Sequence, residues 1–126
     1  MHLDASLDQE DYCYLTTRGR VSGNPHTIEI WFTIIEGVLY MVSGGRDRSD
    51  WVRNLERDPA VRLRIGDRRW DATARIAEDR GSDAGIRKAV ADKYRARGSS
   101  DLDEWERRAM PIAVEAEREL PKQKEA

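Results

Sequence analysis

Arg18, Arg20 and Ser22 flank Gly19 and Gly23 in the stretch TTRGRVSGNPHTIEIWF, which runs from Thr16 to Phe32. Guanidinium forks give bidentate bonds to phosphate or carboxylate, a hydroxyl adds a donor, and glycine lets backbone amides come close. The set could cradle a small anion. Equally, arginines beside a turn can simply keep a hairpin soluble. A second segment, Ser43-Gly44-Gly45 through Ser49-Asp50-Trp51, places a glycine pair before a helix whose free N-terminal amides also suit an anion. Trp51 sits at helical spacing, where a core role is the plain alternative.

His26 and Glu29 look like an acid–base pair when read along the chain. On a strand, however, positions three apart point to opposite faces, so the two should not meet. His26 is then a hydrogen-bonded group near a turn, and Glu29 needs a partner, for which one of the many arginines is the natural choice. Cys13 has no histidine near it in sequence and reads as an inert, partly buried thiol. The chain contains no phosphate loop of the G-x-x-x-x-G-K type, no G-x-S-x-G elbow and no strand–glycine–helix dinucleotide fingerprint.

Charge narrows the classes of partner. Twenty-two Lys and Arg stand against 24 Asp and Glu, a net charge of −2, which argues against nucleic acid or anionic lipid. Arginine is clustered locally, at Arg18 to Arg20, at Arg46 to Arg48, and at Arg62, Arg64, Arg68 and Arg69. The last four could form a nucleic-acid strip, or the solvated face of a barrel. Cys13 is the only cysteine and His2 and His26 the only histidines, which leaves no internal disulfide and no Cys/His metal set. The acidic start MHLDASLDQEDY does not resemble a secretory signal, and Ile30 to Ile35 is too short to span a bilayer. A soluble cytoplasmic protein is expected.

These residues must be positioned by strands. Tyr12 to Thr17 is rich in aromatic and β-branched residues, and 26–35 is the clearest strand, with His26, Ile28, Ile30, Phe32 and Ile34 on one face. Val38 to Ser43 follows a Glu36-Gly37 turn. Ser49 should cap a helix to about Arg57, with Trp51, Val52 and Leu55 inward, ended by Asp58-Pro59. Val61 to Ile65 and Trp70 to Ile76 alternate around a Gly66-Asp67 turn. Ser82-Asp83 should cap a helix to about Arg97; a short helix Leu102 to Met110, a strand Ile112 to Val114 and a frayed polar tail complete the chain. The order β-β-β-α-β-β-α-α-β predicts an antiparallel α+β fold, a small barrel with helices at its edges.

Three stretches together resemble the nitroreductase family of deazaflavin-dependent oxidoreductases. They are TTRGRVSGNPHTIEIWF, then GVLYMVSGGRDRSDWVRNLERDPAVRLRIGDRRW, and W-x-x-x-x-M-P-I-A-V from Trp105 to Val114. That family belongs to the split β-barrel flavin and deazaflavin binders that include pyridoxamine-phosphate oxidase. The resemblance spans residues 12 to 115. It implies one split β-barrel domain of about six strands over residues 1–115, with helices packed at the barrel edges and a charged tail at 116–126. It implies hydride transfer from the reduced 8-hydroxy-5-deazaflavin coenzyme F-420 to a small electron-poor acceptor such as a quinone or enone. The alternatives are an FMN-dependent reductase or oxidase, and a non-catalytic carrier of flavin, haem or tetrapyrrole.

Carried over by position, the resemblance assigns Arg20, Val21, Ser22 and Gly23 to the anionic tail of the cofactor, with His26 where an arginine often stands. Met41, Ser43, Gly44 and Gly45 would line the ring, and Arg48, Ser49, Trp51 and Asn54 would continue the pocket. Val21 replaces the lysine of well-known members, and Trp105 stands near where tyrosines are expected. No catalytic side chain and no metal are implied, because the cofactor carries the chemistry. Split barrels of this group commonly pair, so a homodimer is expected, with the Trp31 face available for it.

Overall fold

The computed structural model of the protein describes residues 1–78 and 83–122. Alternation of apolar and polar residues builds seven strands: β1 (Cys13–Arg18), β2 (Pro25–Ile30), β3 (Thr33–Ile35), β4 (Val38–Ser43), β5 (Ala60–Ile65), β6 (Arg68–Ile76) and β7 (Met110–Glu119). They form one sheet of order β2-β1-β5-β6-β7-β4-β3, and every pairing is antiparallel. Three helices, α1 (Asp50–Arg57), α2 (Asp83–Ala96) and α3 (Asp103–Arg108), lie at its margins. This is the antiparallel α+β split barrel expected from the sequence.

The strand count is seven rather than about six, because the strand expected at 26–35 is two. β2 and β3 are consecutive in the chain yet occupy opposite edges of the sheet, with only Trp31 and Phe32 between them. A two-residue link can join opposite edges only if the sheet curls until those edges face each other. The break is where the barrel splits. It leaves backbone groups that no ladder satisfies, and α2 supplies their partners. The Phe32 amide donates to Tyr94 Oη at 2.9 Å, and Lys93 Nζ donates to the Phe32 carbonyl at 2.8 Å. Lys93 also bonds Asp8 at 2.8 Å and the Glu10 carbonyl at 3.1 Å, and Tyr94 Oη donates to the Asp11 carbonyl at 2.8 Å. Burial lowers the affinity of Lys93 for its proton and raises that of the Tyr94 phenol. These bonds tie the segment before β1, which includes a short 3₁₀ helix at Ala5–Gln9, to the split.

Inside the barrel, Leu15, Phe32, Leu39, Met41, Leu63, Trp70, Ile112 and Val114 make a fully buried core. A second cluster, Val42, Val90, Tyr94 and Ala109, packs α2 onto β4. On β5, Val61, Leu63 and Ile65 point in while Arg62 and Arg64 point out. The outward arginines are partnered: Arg62 and Arg118 by Asp71, Arg68 by Glu119, and Arg69 by the Pro121 carbonyl. Within the strip, Arg62 and Arg68 are ion-paired, while Arg64 and Arg69 bond the Gly66 and Pro121 carbonyls on a barrel face.

The end of β7 and the capping role of Ser49 differ from expectation. β7 continues past Val114 to Glu119, because Ala116 continues the inward row while a bulge at Asp71/Ala72 keeps it in register with β6. Ser49 precedes α1, but its hydroxyl bonds Ser43 Oγ at 2.9 Å and makes no bond to the helix amides. The Ser82 cap expected for α2 lies outside the described residues.

Candidate functional site

The β1–β2 loop is shaped by two glycines. The Gly19 amide donates to the Asn24 carbonyl at 2.7 Å, and the Gly23 amide to the Gly19 carbonyl at 2.8 Å, with Gly23 at φ +76°. A Cβ on Gly19 would stand 2.8 Å from both His26 Nε2 and Ser22 Oγ, so only glycine lets those side chains close over the turn. The loop then presents Arg20 to α1. Asn54 Oδ1 accepts both the Arg20 backbone N–H (3.1 Å) and its guanidinium (2.9 Å), and the Asp50 carboxylate takes the other guanidinium nitrogen at 3.1 Å. Asn54, only 4% exposed, donates in turn to Thr17 Oγ1 on β1 at 3.2 Å.

A groove of about 610 Å³ opens between this loop, the first half of β2 and α1. It brings together Arg20, Val21, Ser22, His26, Trp51 and Asn54 of the sequence-predicted residues, joined by Asp50 and Ile28. Val21, at 94% exposure, stands at the loop tip. Gly23 lines the neighbouring cleft with Arg18, Arg57 and Asp58 instead. The remaining predicted residues do not line the groove. Met41 is sealed in the core, and the Ser43 hydroxyl is spent on the Arg46 carbonyl (3.0 Å) and on Ser49. Gly44 lies against the Trp105 indole, Gly45 against the Ser49 hydroxyl, and Arg48 is exposed. The Ser43–Ser49 turn is thus closed on itself, and its segment reaches the groove through Asp50, Trp51 and Asn54. A guanidinium, a hydroxyl and an imidazole beside an indole face are a donor set that fits the anionic tail of a deazaflavin or flavin coenzyme.

At the far end of β2 lies a second, apolar slot of about 430 Å³, lined by Tyr12, Glu29, Ile30, Trp31, Val42, Leu102 and Trp105. Trp31 stacks on Tyr94 with centroids 4.1 Å apart and planes 6° apart, and meets Trp105 edge-on at 5.7 Å and 81°. The Trp31 ring, expected as a subunit-facing surface, is thus half-buried within its own chain. Sequence reasoning missed Tyr12, Val42 and Leu102 here, and Asp50 in the groove. Nothing in their spacing separates a slot wall from ordinary core.

Strand parity held for His26 and Glu29: His26 is in register with Thr17 and Glu29 with Tyr14, on opposite faces of β2. The partner of Glu29 is not an arginine, however. The Tyr14 hydroxyl donates to Glu29 Oε2 at 2.6 Å, and Arg64 stacks over the Tyr14 ring at 4.0 Å. That hydrogen bond is the main reason the Tyr14 phenol holds its proton more tightly than usual. Cys13 is buried, and desolvation pushes its thiol up to about 12, so it is inert as expected.

The curled seven-stranded sheet with its edge helices defines a split-barrel protein of the kind that includes flavin- and deazaflavin-linked oxidoreductases. Residues 3–117 match the family described as F420H2-dependent quinone reductase, and the chain belongs to that family. Among solved structures it is similar to a conserved hypothetical protein from Mycobacterium tuberculosis, at 19% identity and TM-score 0.73, over 100% of this chain and 93% of that one. It is also similar to the haem storage protein HutZ from Vibrio cholerae, at 17% identity and TM-score 0.72, over 97% and 96%. An F420 reductase matches at 18% identity and TM-score 0.64, over 91% and 94%. At these identities the likeness concerns the fold. No curated protein matches the sequence. Among the described residues, no helix is long and apolar enough to cross a membrane.

Proposed function

We propose that this protein binds the deazaflavin coenzyme F-420 along β2 and reduces a quinone or a similar electron-poor ring. The observation that carries the reading is Arg20, fixed by Asn54 and Asp50 beside Trp51 at one end of the strand whose other end forms the aromatic slot. Pro25 to Trp31 is six steps of about 3.3 Å, so groove and slot together span roughly 20 Å of chain and adjoin between Ile28 and Glu29. Arg20, Ser22 and His26 hold the anionic tail; Trp51 and Ile28 flank its course; Ile30, Trp31 and Trp105 receive the acceptor ring. The reduced coenzyme supplies the hydride, and solvent supplies the proton that completes a hydroquinone. The protein's part is orientation and a dry wall: no lining side chain has to act as a nucleophile.

Visible-spectrum titrations of the purified protein with the deazaflavin coenzyme, FMN and haem test the cofactor. The expected result is saturable binding of the deazaflavin, followed by oxidation of its reduced form when menadione is added without oxygen. Saturable binding of haem or FMN alone, with no deazaflavin-dependent turnover, overturns the reading.

A further inference from the structure

Glu29, an exposed residue, is the only carboxylate among the seven residues of the aromatic slot, which include no lysine, arginine or histidine. Its Oε2 is engaged by the Tyr14 hydroxyl, and no ion pair neutralises it among the described residues. Arg64, the nearest cation along that row, sits on the Tyr14 ring and bonds the Gly66 carbonyl at 3.0 Å. The slot therefore keeps a carboxylate at its exposed rim beside indole walls, where its field reaches a ring in the slot at low salt and is screened as salt rises. The groove at the other end of β2 carries Arg20. Arg20 is ion-paired to Asp50 in that groove, whereas Glu29 has no cationic ion-pair partner among the described residues, and the proposed function leaves Glu29 unused.

We propose that Glu29 is a charge filter: it restricts the slot to neutral or cationic flat rings and repels acceptors bearing an anionic substituent. Resting on the functional reading above, the filter also opposes seating of the coenzyme's anionic tail in the acceptor slot. Both effects are repulsion against the wrong occupant, which is how a site lacking donors for its substrate can still select.

The test uses two rings that differ in charge, 1,4-naphthoquinone and 1,4-naphthoquinone-2-sulfonate, added to coenzyme-free protein while tryptophan fluorescence is followed. In the native protein the neutral ring should bind at least about tenfold more tightly at low salt, with the gap narrowing as salt rises. Glu29→Gln keeps an oxygen for the Tyr14 hydroxyl and removes the charge. It should tighten sulfonate binding about tenfold and leave the neutral ring within about twofold. Tyr14→Phe removes the hydrogen bond but not the charge, and should leave the preference in place. An unchanged preference in Glu29→Gln, an equal shift in Tyr14→Phe, or no quenching by either ring overturns the filter. Coenzyme titration and menadione turnover on the same samples separate the cases: intact coenzyme chemistry with no charge preference sinks the filter alone.

Discussion

A single atom, Asn54 Oδ1, takes two donors from Arg20: the backbone N–H at 3.1 Å and the guanidinium at 2.9 Å. Loop position and side-chain aim are therefore set by the same buried amide. Asn54 sits on α1 and also donates to Thr17 on β1, so helix, strand and loop share one joint. Asn54→Ala should leave the Arg20 amide and the Thr17 hydroxyl short of a partner in a nearly closed space. We expect a loss of about 2–3 kcal/mol, read by urea unfolding. Asn54→Asp, which keeps the acceptor, should cost less. Equal losses for the two would mean that the Arg20 bonds carry none of the effect.

Arg20 itself should matter little to stability, since its side chain is 29% exposed and its Asp50 partner 84%. Its loss should appear in binding instead. Arg20→Ala is expected to weaken the coenzyme by about 1.5–3 kcal/mol, the scale of a charge-assisted bond. Arg18→Ala, at a side chain 70% exposed and outside the groove, is the control and should change the dissociation constant less than about twofold. A dissociation constant unchanged by Arg20→Ala would remove the anion role from this loop.

Tyr94→Phe tests the split. The hydroxyl accepts the Phe32 amide at 2.9 Å and donates to the Asp11 carbonyl at 2.8 Å, both beside buried surface. Phenylalanine keeps the stack on Trp31 and loses those bonds together with a longer one to the Phe32 carbonyl at 3.2 Å. The expected cost is about 1–3 kcal/mol in chemical unfolding. Amide exchange should quicken at Phe32 before it does in β5 or β6. Exchange that quickens evenly across the sheet would argue that the Tyr94 bonds do not hold the edges together.

The β5–β6 hairpin was legible because Val61, Leu63 and Ile65 alternate strictly with charges, and a glycine turn fixes the register. The split was not, because Ile28, Ile30, Phe32 and Ile34 keep the same period straight through it. What breaks the strand is a tertiary event, the donation of Phe32 to a tyrosine 62 residues away. The anion loop was legible through its glycines and arginines. Its companion was only half so: Trp51 and Asn54 reach the groove, while Ser43 and Ser49 satisfy each other. A hydroxyl's choice of partner depends on geometry of a fraction of an ångström, which spacing along a chain does not record. The slot went unread because Trp31, Leu102 and Trp105 are apolar residues that also pack a core.

Cys13 gives a prediction with a definite sign. Burial raises its thiol from 9.0 to about 12 in the folded protein, whereas the unfolded chain ionises near the lower value. Above pH 9 the unfolded state sheds a proton that the folded state keeps, so stability falls as pH rises from 9 towards 12. At pH 10.5 that difference is about 2 kcal/mol for this one group. Tyr94 titrates in the same direction for the same reason, so the total alkaline loss cannot be assigned to Cys13 directly. Cys13→Ala isolates it: the variant should lose about 2 kcal/mol less than the native protein between pH 8 and 10.5, measured by urea unfolding at each pH. A thiol reagent at pH 8 should find no reactive group in the folded protein and one in denaturant. Parallel pH curves for variant and parent, or rapid labelling of the folded chain, would mean that Cys13 is open to solvent and that the first strand does not seal the core as described.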